Sequence, residues 1–293
     1  MIRESLGRRI YLWINAVVLL LVAALCLVPI LHVIALSFSK SSSVMAGHVT
    51  LFPVNATLSS YKLLMQRPDF FASFRVSLLR VLLGVTVNMA LIMLTAYPLS
   101  KKKDQFHGRT AYAWYMILTI IFSGGLIPTY MVVKQMGLIN SVWSMVLPGA
   151  IPVWNTVLMM NFYRNLPREI EESAFIDGAN HLVVLTRLYI PLSAPAVATI
   201  ALFSIVGHWN SWFDGLIYLN TPSLYPLQTF LYMIDSSVTL GATTSENVEY
   251  MREISDRTLR SAQIVIAMVP VLIAYPFLQK YFTKGIVMGS VKG

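Results

Sequence analysis

Six long apolar runs, parted by short polar breaks, set the pattern of this chain. They cover residues 11–36, 74–99, 112–133, 142–162, 190–212 and 261–282. About 20 apolar residues suffice to cross a bilayer as a helix. Each run therefore predicts one transmembrane helix, and the pattern as a whole predicts an all-α membrane protein with six of them. The first run is broken only by Asn15, Pro29 and His32. It is too long for the apolar part of a leader peptide and lacks a small-x-small cleavage pattern, so it reads as a span. Proline punctuates most of the runs, and the third also carries Gly124 and Gly125. Carbonyls freed by proline must find partners in neighbouring helices or cavity water. Residues 40–71 are mixed and turn-rich and read as an external loop of short elements. Residues 214–260 read as a long polar loop.

Charge gives this pattern a direction. Six spans place both termini on one side. That side, comprising the N-terminus, the Lys101–Lys103 loop with Arg109, the segment from Arg164 to Arg187 and the tail, carries 13 of the 22 Lys and Arg residues in the shorter connections. The positive-inside rule makes both termini cytoplasmic. Arg75 and Arg80 fall near the outer end of the second span, where long basic side chains snorkel to the interface. Composition agrees: 56% of residues are hydrophobic and only 12% charged, against about 25% charged in soluble domains. The net charge of +9 is assigned to cytoplasmic loops, and no nucleic-acid signature accompanies it. The single cysteine, Cys26, permits no intrachain disulfide.

Candidate chemistry is sparse. No span is expected to bury Asp, Glu or Lys at its centre, where ion-driven carriers hold such groups. His32 and His208 read as hydrogen-bonded structural groups. No phosphate-binding Gly-rich loop, H-E-x-x-H or G-x-S-x-G is present. Energy for transport, where it is needed, must come from a partner.

Residues 168–195 stand apart from the rest. Pro167 suits a helix start, Glu169, Glu171 and Glu172 suit the positive end of a helix dipole, and Gly178 suits a C-terminal cap. A helix of about ten residues results, marginal on its own. Within it Glu172, Ala174, Asp177, Gly178 and Ala179 form E-x-A-x-x-D-G-A, with Pro191 twelve residues further on. This resembles the EAA loop of ABC importer membrane subunits, with Ser173 at the first alanine, Leu188 at the isoleucine and Ile190 at the leucine. Further elements fit the carbohydrate branch of these permeases, the group that includes maltose G-type, lipo-oligosaccharide and aldouronate permeases. They are the Phe-Pro element at residues 52–64, Ala96-Tyr97-Pro98-Leu99-Ser100, His208-Trp209-Asn210-Ser211-Trp212, and the tail at 284–293.

The resemblance implies a type I importer permease fold. A first helix with its external loop (1–73) precedes a five-helix core (74–282, coupling loop 164–190) and a cytoplasmic tail (283–293). It implies a non-catalytic subunit in a bacterial inner membrane, importing an oligosaccharide, with acidic alginate- or uronate-type sugars in range. Its partners would be a second permease, two copies of an ATPase that binds the ATP and Mg, and an external solute-binding protein meeting residues 214–260 and the loop after the first span. No cofactor or metal is expected in the chain itself. The implied ATPase-coupling residues are Glu172, Ser173, Ala174, Asp177, Gly178, Ala179, Leu188 and Pro191. Glu172 would meet a basic group of the ATPase or cap local amides. The tail residues Gly285, Gly289, Lys292 and Gly293 would reach the same partner. Asn88, Trp154, Asn155 and Trp209 are the candidates for the sugar path. A stand-alone secondary sugar transporter is the alternative reading, and a membrane-embedded enzyme a third.

Overall fold

A computed structural model describes residues 6–67, 69–239 and 256–289. Its helices are α1 (Leu6–Ser37), α2 (Ser41–Met45), α3 (Ser59–Gln66), α4 (Phe70–Ser100), α5 (Arg109–Ile121), α6 (Leu126–Gln135), α7 (Val153–Arg164), α8 (Arg168–Ile176), α9 (His181–Val184), α10 (Ile190–Leu192), α11 (Ala194–Asn210), α12 (Phe213–Tyr218), α13 (Leu227–Thr239) and α14 (Asp256–Gly289). Among the described residues β-type pairing is limited to an isolated bridge between Ser39 and Ala56. The chain divides into two compact units, Met1–Pro68 with Met233–Val269, and Asp69–Tyr232 with Pro270–Gly293.

Three helices are long and apolar enough to cross a membrane unbroken: Gly7–Ser37, Phe70–Ser100 and Arg257–Pro276. Three further spans are bent pairs. Arg109–Ile121 meets Leu126–Gln135 at 116°, Val142–Gly149 meets Val153–Arg164 at 49°, and His181–Leu192 meets Ala194–Asn210 at 85°. Counted with each pair as one span, these are the six expected. The third, fourth and fifth are not the straight helices that apolar length alone predicts. Gly124-Gly125, Pro152 and the pair Pro191 and Pro195 mark the breaks. Glycine is a poor helix former, and each proline removes an amide donor and crowds the preceding turn.

In the first unit, α1 is exposed from Gly7 to Leu31 and becomes buried only at its end. There Ala35 packs with Val44 and Val49. The Tyr61 hydroxyl donates to Ser37 Oγ at 2.8 Å, and the Thr57 amide donates to the Phe38 carbonyl at 2.8 Å. The expected external segment of short elements is thus folded back onto the end of α1.

In the second unit α4 is the central element, packed mainly against α11 and α7. Their shared core consists of Ile92, Ala96, Tyr97, Met159, Tyr163, Val184, Leu185, Tyr189 and Ile200. The expected polar loop after residue 214 is instead largely helical as far as Thr239, through α12, a 3-10 turn (Pro222–Leu224) and α13.

Candidate functional site

α8 begins after Pro167, and Gly178 ends it with φ +83°. The Ala179 amide donates to the Ala174 carbonyl at 2.9 Å, and the Gly178 amide to the Phe175 carbonyl at 3.0 Å. This pair of bonds is a Schellman cap, which requires the left-handed backbone that glycine adopts freely. Asn180 caps the next helix, its Oδ1 accepting from the Val183 amide at 2.9 Å. Between Val184 and Ile190 the backbone passes through a π-helical turn, Leu185–Tyr189, before Pro191.

This geometry sorts the predicted coupling residues into two faces. Ala174, Ala179 and Leu188 lie half-buried against the core, together with Phe175 and Ile190. Glu172, Ser173, Asp177, Gly178 and Pro191 are exposed. Ile176, at the tip of α8, is 86% exposed. Glu172 makes no hydrogen bond or ion pair among the described residues, so it caps no local amide there. Gly285 and Gly289 fall in α14, while Lys292 and Gly293 lie outside the described residues.

The acidic residue that the fold does use is the neighbouring Glu171. Its Oε1 accepts from Lys101 Nζ at 2.5 Å, and its Oε2 accepts from the Tyr189 hydroxyl at 2.6 Å. Lys101 also donates to the Tyr189 hydroxyl at 3.0 Å. Its ammonium lies 3.9 Å from the Tyr97 ring centroid and 4.2 Å from that of Tyr189. The Tyr97 hydroxyl is 3.1 Å from His181 Nδ1. Lys101 and Glu171 are only 8% and 7% exposed, so the first lysine of the basic loop is no solvated charge. Burial opposes ionisation of Glu171, but the hydrogen bonds from Lys101 and Tyr189 and the charge of Lys101 outweigh it and hold the carboxyl below its usual range. For Lys101 burial dominates and draws the ammonium below its usual value, against the pull of Glu171. The cluster ties α8 to the end of α4 and to the π turn. A signal for Glu171 does exist in the sequence: it shares a helical face with Ala174 and Phe175, three and four residues on.

A second buried cluster lies further along α4. Arg80 is 2% exposed and does not snorkel to an interface. Its guanidinium grips Asp214 with two nitrogens, the Nη1 bond to Oδ1 measuring 3.1 Å, and Nη1 also donates to the Ser211 carbonyl at 3.0 Å. Ser211 Oγ and the Gly215 amide each donate to Asp214 Oδ1 at 2.9 Å. The reading of Arg80 as a snorkelling interfacial residue is thus corrected: its charge is buried near the end of α4 against a partner 134 residues away. Nearby, Asn88 Nδ2 donates to the carbonyls of Gly149 and Ala150, both at 2.9 Å, and its Oδ1 accepts from His208 Nε2 at 2.8 Å. Asn88 thus satisfies carbonyls freed by the break before Pro152. His208 sits against α4 where Gly84 leaves room: a Cβ there would come within 2.4 Å of the imidazole.

Around these groups is a cavity of about 330 Å³, lined by Asn88, Asn155, Ser204, His208 and Asp214 among others. Of the four sugar-path candidates, Asn88 and Asn155 line it. The other two do not. Trp154 is exposed, and Trp209 is buried edge-on against Phe74 at 5.8 Å.

No family model matches the chain. Over 278 residues it is 38% identical to the polygalacturonan/rhamnogalacturonan transport system permease protein YtcP of Bacillus subtilis (strain 168), covering 94% of this chain and 96% of that protein. It is 40% identical over 272 residues to Protein LplC of the same organism, covering 93% and 91%. Among solved structures, a chain of a bacterial ABC transporter involved in the import of the acidic polysaccharide alginate matches with a TM-score of 0.84 and 31% identity, covering 96% of this chain and 100% of that one. The E-x-A-x-x-D-G pattern of α8, the six spans and these likenesses converge: the chain is a multi-pass membrane protein and belongs to the permease subunits of ABC sugar importers.

Proposed function

We propose that this permease couples an external ATPase to the import of an acidic oligosaccharide, with α8 as the helix that seats in the ATPase. A second permease, two ATPase copies carrying ATP and Mg, and an external solute-binding protein complete the complex. Both termini lie in the cytoplasm of a bacterial cell, and the tail that includes Gly285, Gly289, Lys292 and Gly293 runs toward the ATPase.

One observation carries the reading. α8 offers Glu172, Ser173, Ile176, Asp177 and Gly178 outward while its inner face is fastened by Ala174, Phe175 and the Glu171–Lys101 pair. A nine-residue helix that exposes an apolar tip and is pinned from behind is built to be pushed. Movement of α8 passes through Lys101 to α4, and through Tyr189 and Leu188 to the turn before Pro191 and so to α11. ATP drives a near-complete switch only if its binding favours one arrangement by about 5 kcal/mol. The acidic character of the sugar rests on the relatives: one is named for polygalacturonan and rhamnogalacturonan and another for alginate, all acidic polysaccharides.

The test is Ile176→Asp. In the assembled complex, ATP hydrolysis stimulated by loaded binding protein should fall at least tenfold, while the permease stays in the membrane at its normal level. Full stimulation in that variant would sink the docking role of α8. Gly178 is a poorer probe, since any side chain at φ +83° strains the cap itself.

A further inference from the structure

The cavity along α4, α7 and α11 holds more polar groups than the fold needs. Asn88 spends both amide protons and its oxygen within the protein. Arg80 and Asp214 spend their charges on each other. Several other lining groups are unspent, the Arg80 Nε–H among them. Asn155 is 8% exposed and its carboxamide has no hydrogen-bond partner among the described residues. Ser204 is 5% exposed and its hydroxyl also has none. Native structures seldom leave buried polar side chains unpartnered, and each instance calls for a ligand, a water or an explanation. At about 330 Å³ the space falls within the range of small-molecule sites, which begins near about 300 Å³.

We propose that this cavity is a subsite for one sugar ring, read through its hydroxyls by Asn155 and Ser204. The proposal rests on the transport function inferred above and names where this subunit touches the cargo. A carboxamide both donates and accepts, and so does a serine hydroxyl; this matches the paired donor and acceptor character of ring hydroxyls. A carboxylate here would have to compete with Asp214 for the Arg80 guanidinium, of which only the Nε–H is left without a partner. The subsite therefore takes the hydroxyl-bearing edge of a ring and leaves any acid group to be met elsewhere. His208 donates Nε2–H to Asn88 Oδ1, and its ring forms part of the same wall. Such contacts are few and uncharged, which suits a path that must release what it binds.

Two readouts in the complete complex, reconstituted in proteoliposomes with its binding protein, test this with galacturonate and alginate trisaccharides as probes. Loss of a hydrogen bond to an uncharged partner weakens binding by up to about tenfold. Asn155→Leu should raise the KM for uptake by about tenfold, and Ser204→Ala by about threefold. Independently, Ser204→Cys in a chain whose only cysteine, Cys26, is replaced by serine should react with a small methanethiosulfonate, and the transported trisaccharide should slow that reaction severalfold. Unchanged KM values and an unprotected or unreactive Cys at position 204, in a complex that transports either probe, would overturn the subsite and leave a water-filled cavity. If the unaltered complex transports neither trisaccharide, the functional reading fails and the subsite falls with it.

Discussion

Two buried ion pairs hold α4, and they are built differently. Arg80 and Lys101 are 21 residues apart, about 31 Å at the α-helical rise, close to the hydrocarbon thickness of about 30 Å. Between them the sequence carries no charge. Arg80 meets Asp214 fork to fork, with backbone and serine donors completing the carboxylate. Lys101 meets Glu171 end-on, with two tyrosine rings walling the ammonium. A guanidinium stays charged at every working pH and needs a planar partner, whereas an ammonium is a point charge that ring faces can stabilise and that can shed its proton when its counter-ion is lost. The first arrangement suits a fixed strut beside a cavity. The second suits a joint between α8 and α4, the role that the proposed coupling assigns to it.

The sharpest way to break this comparison is to remove the acid from each pair. Asp214→Ala leaves a permanently charged Arg80 at 2% exposure with only the Ser211 carbonyl for company. Breaking one side of a buried pair costs about 3–5 kcal/mol. The purified complex in detergent should unfold at a clearly lower temperature, and Arg80→Met combined with Asp214→Leu should recover most of the loss. A single variant as stable as the parent would show that the pair is no strut.

Glu171→Gln should cost less, about 2 kcal/mol, and the deficit should depend on pH. Burial already draws Lys101 below its ordinary 10.5. A lysine with a lowered folded pKa destabilises the fold below that pKa, and the penalty is relieved as pH rises toward the unfolded value. With Glu171 neutralised the burial effect stands alone, so the variant should lose most hydrogen-exchange protection of α8 near pH 6 and recover part of it by pH 9. The parent behaves in the opposite sense at the acid end. Its Glu171 carboxyl is held below 4.5, so the stability it contributes is present above that value and lost as pH falls through the lowered one. Asp214→Asn should show no recovery at pH 9. Equal pH dependence in the two variants would erase the distinction between joint and strut.

Much of this was legible in the chain. Apolar length located all six spans, and the spacing from Glu172 through Gly178 to Pro191 located α8 and its cap, because local propensity and capping act over a few residues. The bends at Gly124-Gly125, Pro152 and Ser193 were foreshadowed by proline and glycine, but their angles depend on what satisfies the freed carbonyls. For the fourth span that is Asn88, some 60 residues earlier in the chain. The ion pairs were not legible. Arg80 looked like an interfacial residue, and Lys101 one of three equivalent lysines, because burial of a charge is decided by a partner 134 or 70 residues away. Glu172 drew attention by its place in the motif, while Glu171 carries the internal contact. Glu172 lies on the exposed face of α8, and the face behind it is set by packing.

The smallest effects separate the hydroxyls in the two clusters. The Tyr189 hydroxyl is the one described donor to Glu171 Oε2. Tyr189→Phe keeps the ring under the ammonium and strands a buried carboxylate oxygen, which costs about 1–3 kcal/mol. Ser211→Ala also removes one donor to a buried carboxylate, but Asp214 Oδ1 keeps Arg80 and the Gly215 amide. That loss should stay near about 0.5 kcal/mol, the low end for a hydrogen bond with remaining partners. Unfolding midpoints of the two variants, measured side by side, should therefore differ, with Tyr189→Phe the lower. If Ser211→Ala proves the more damaging, the redundancy assigned to the Arg80 cluster is wrong, and the serine must do more than donate to Asp214, such as hold the turn whose carbonyl Arg80 also binds.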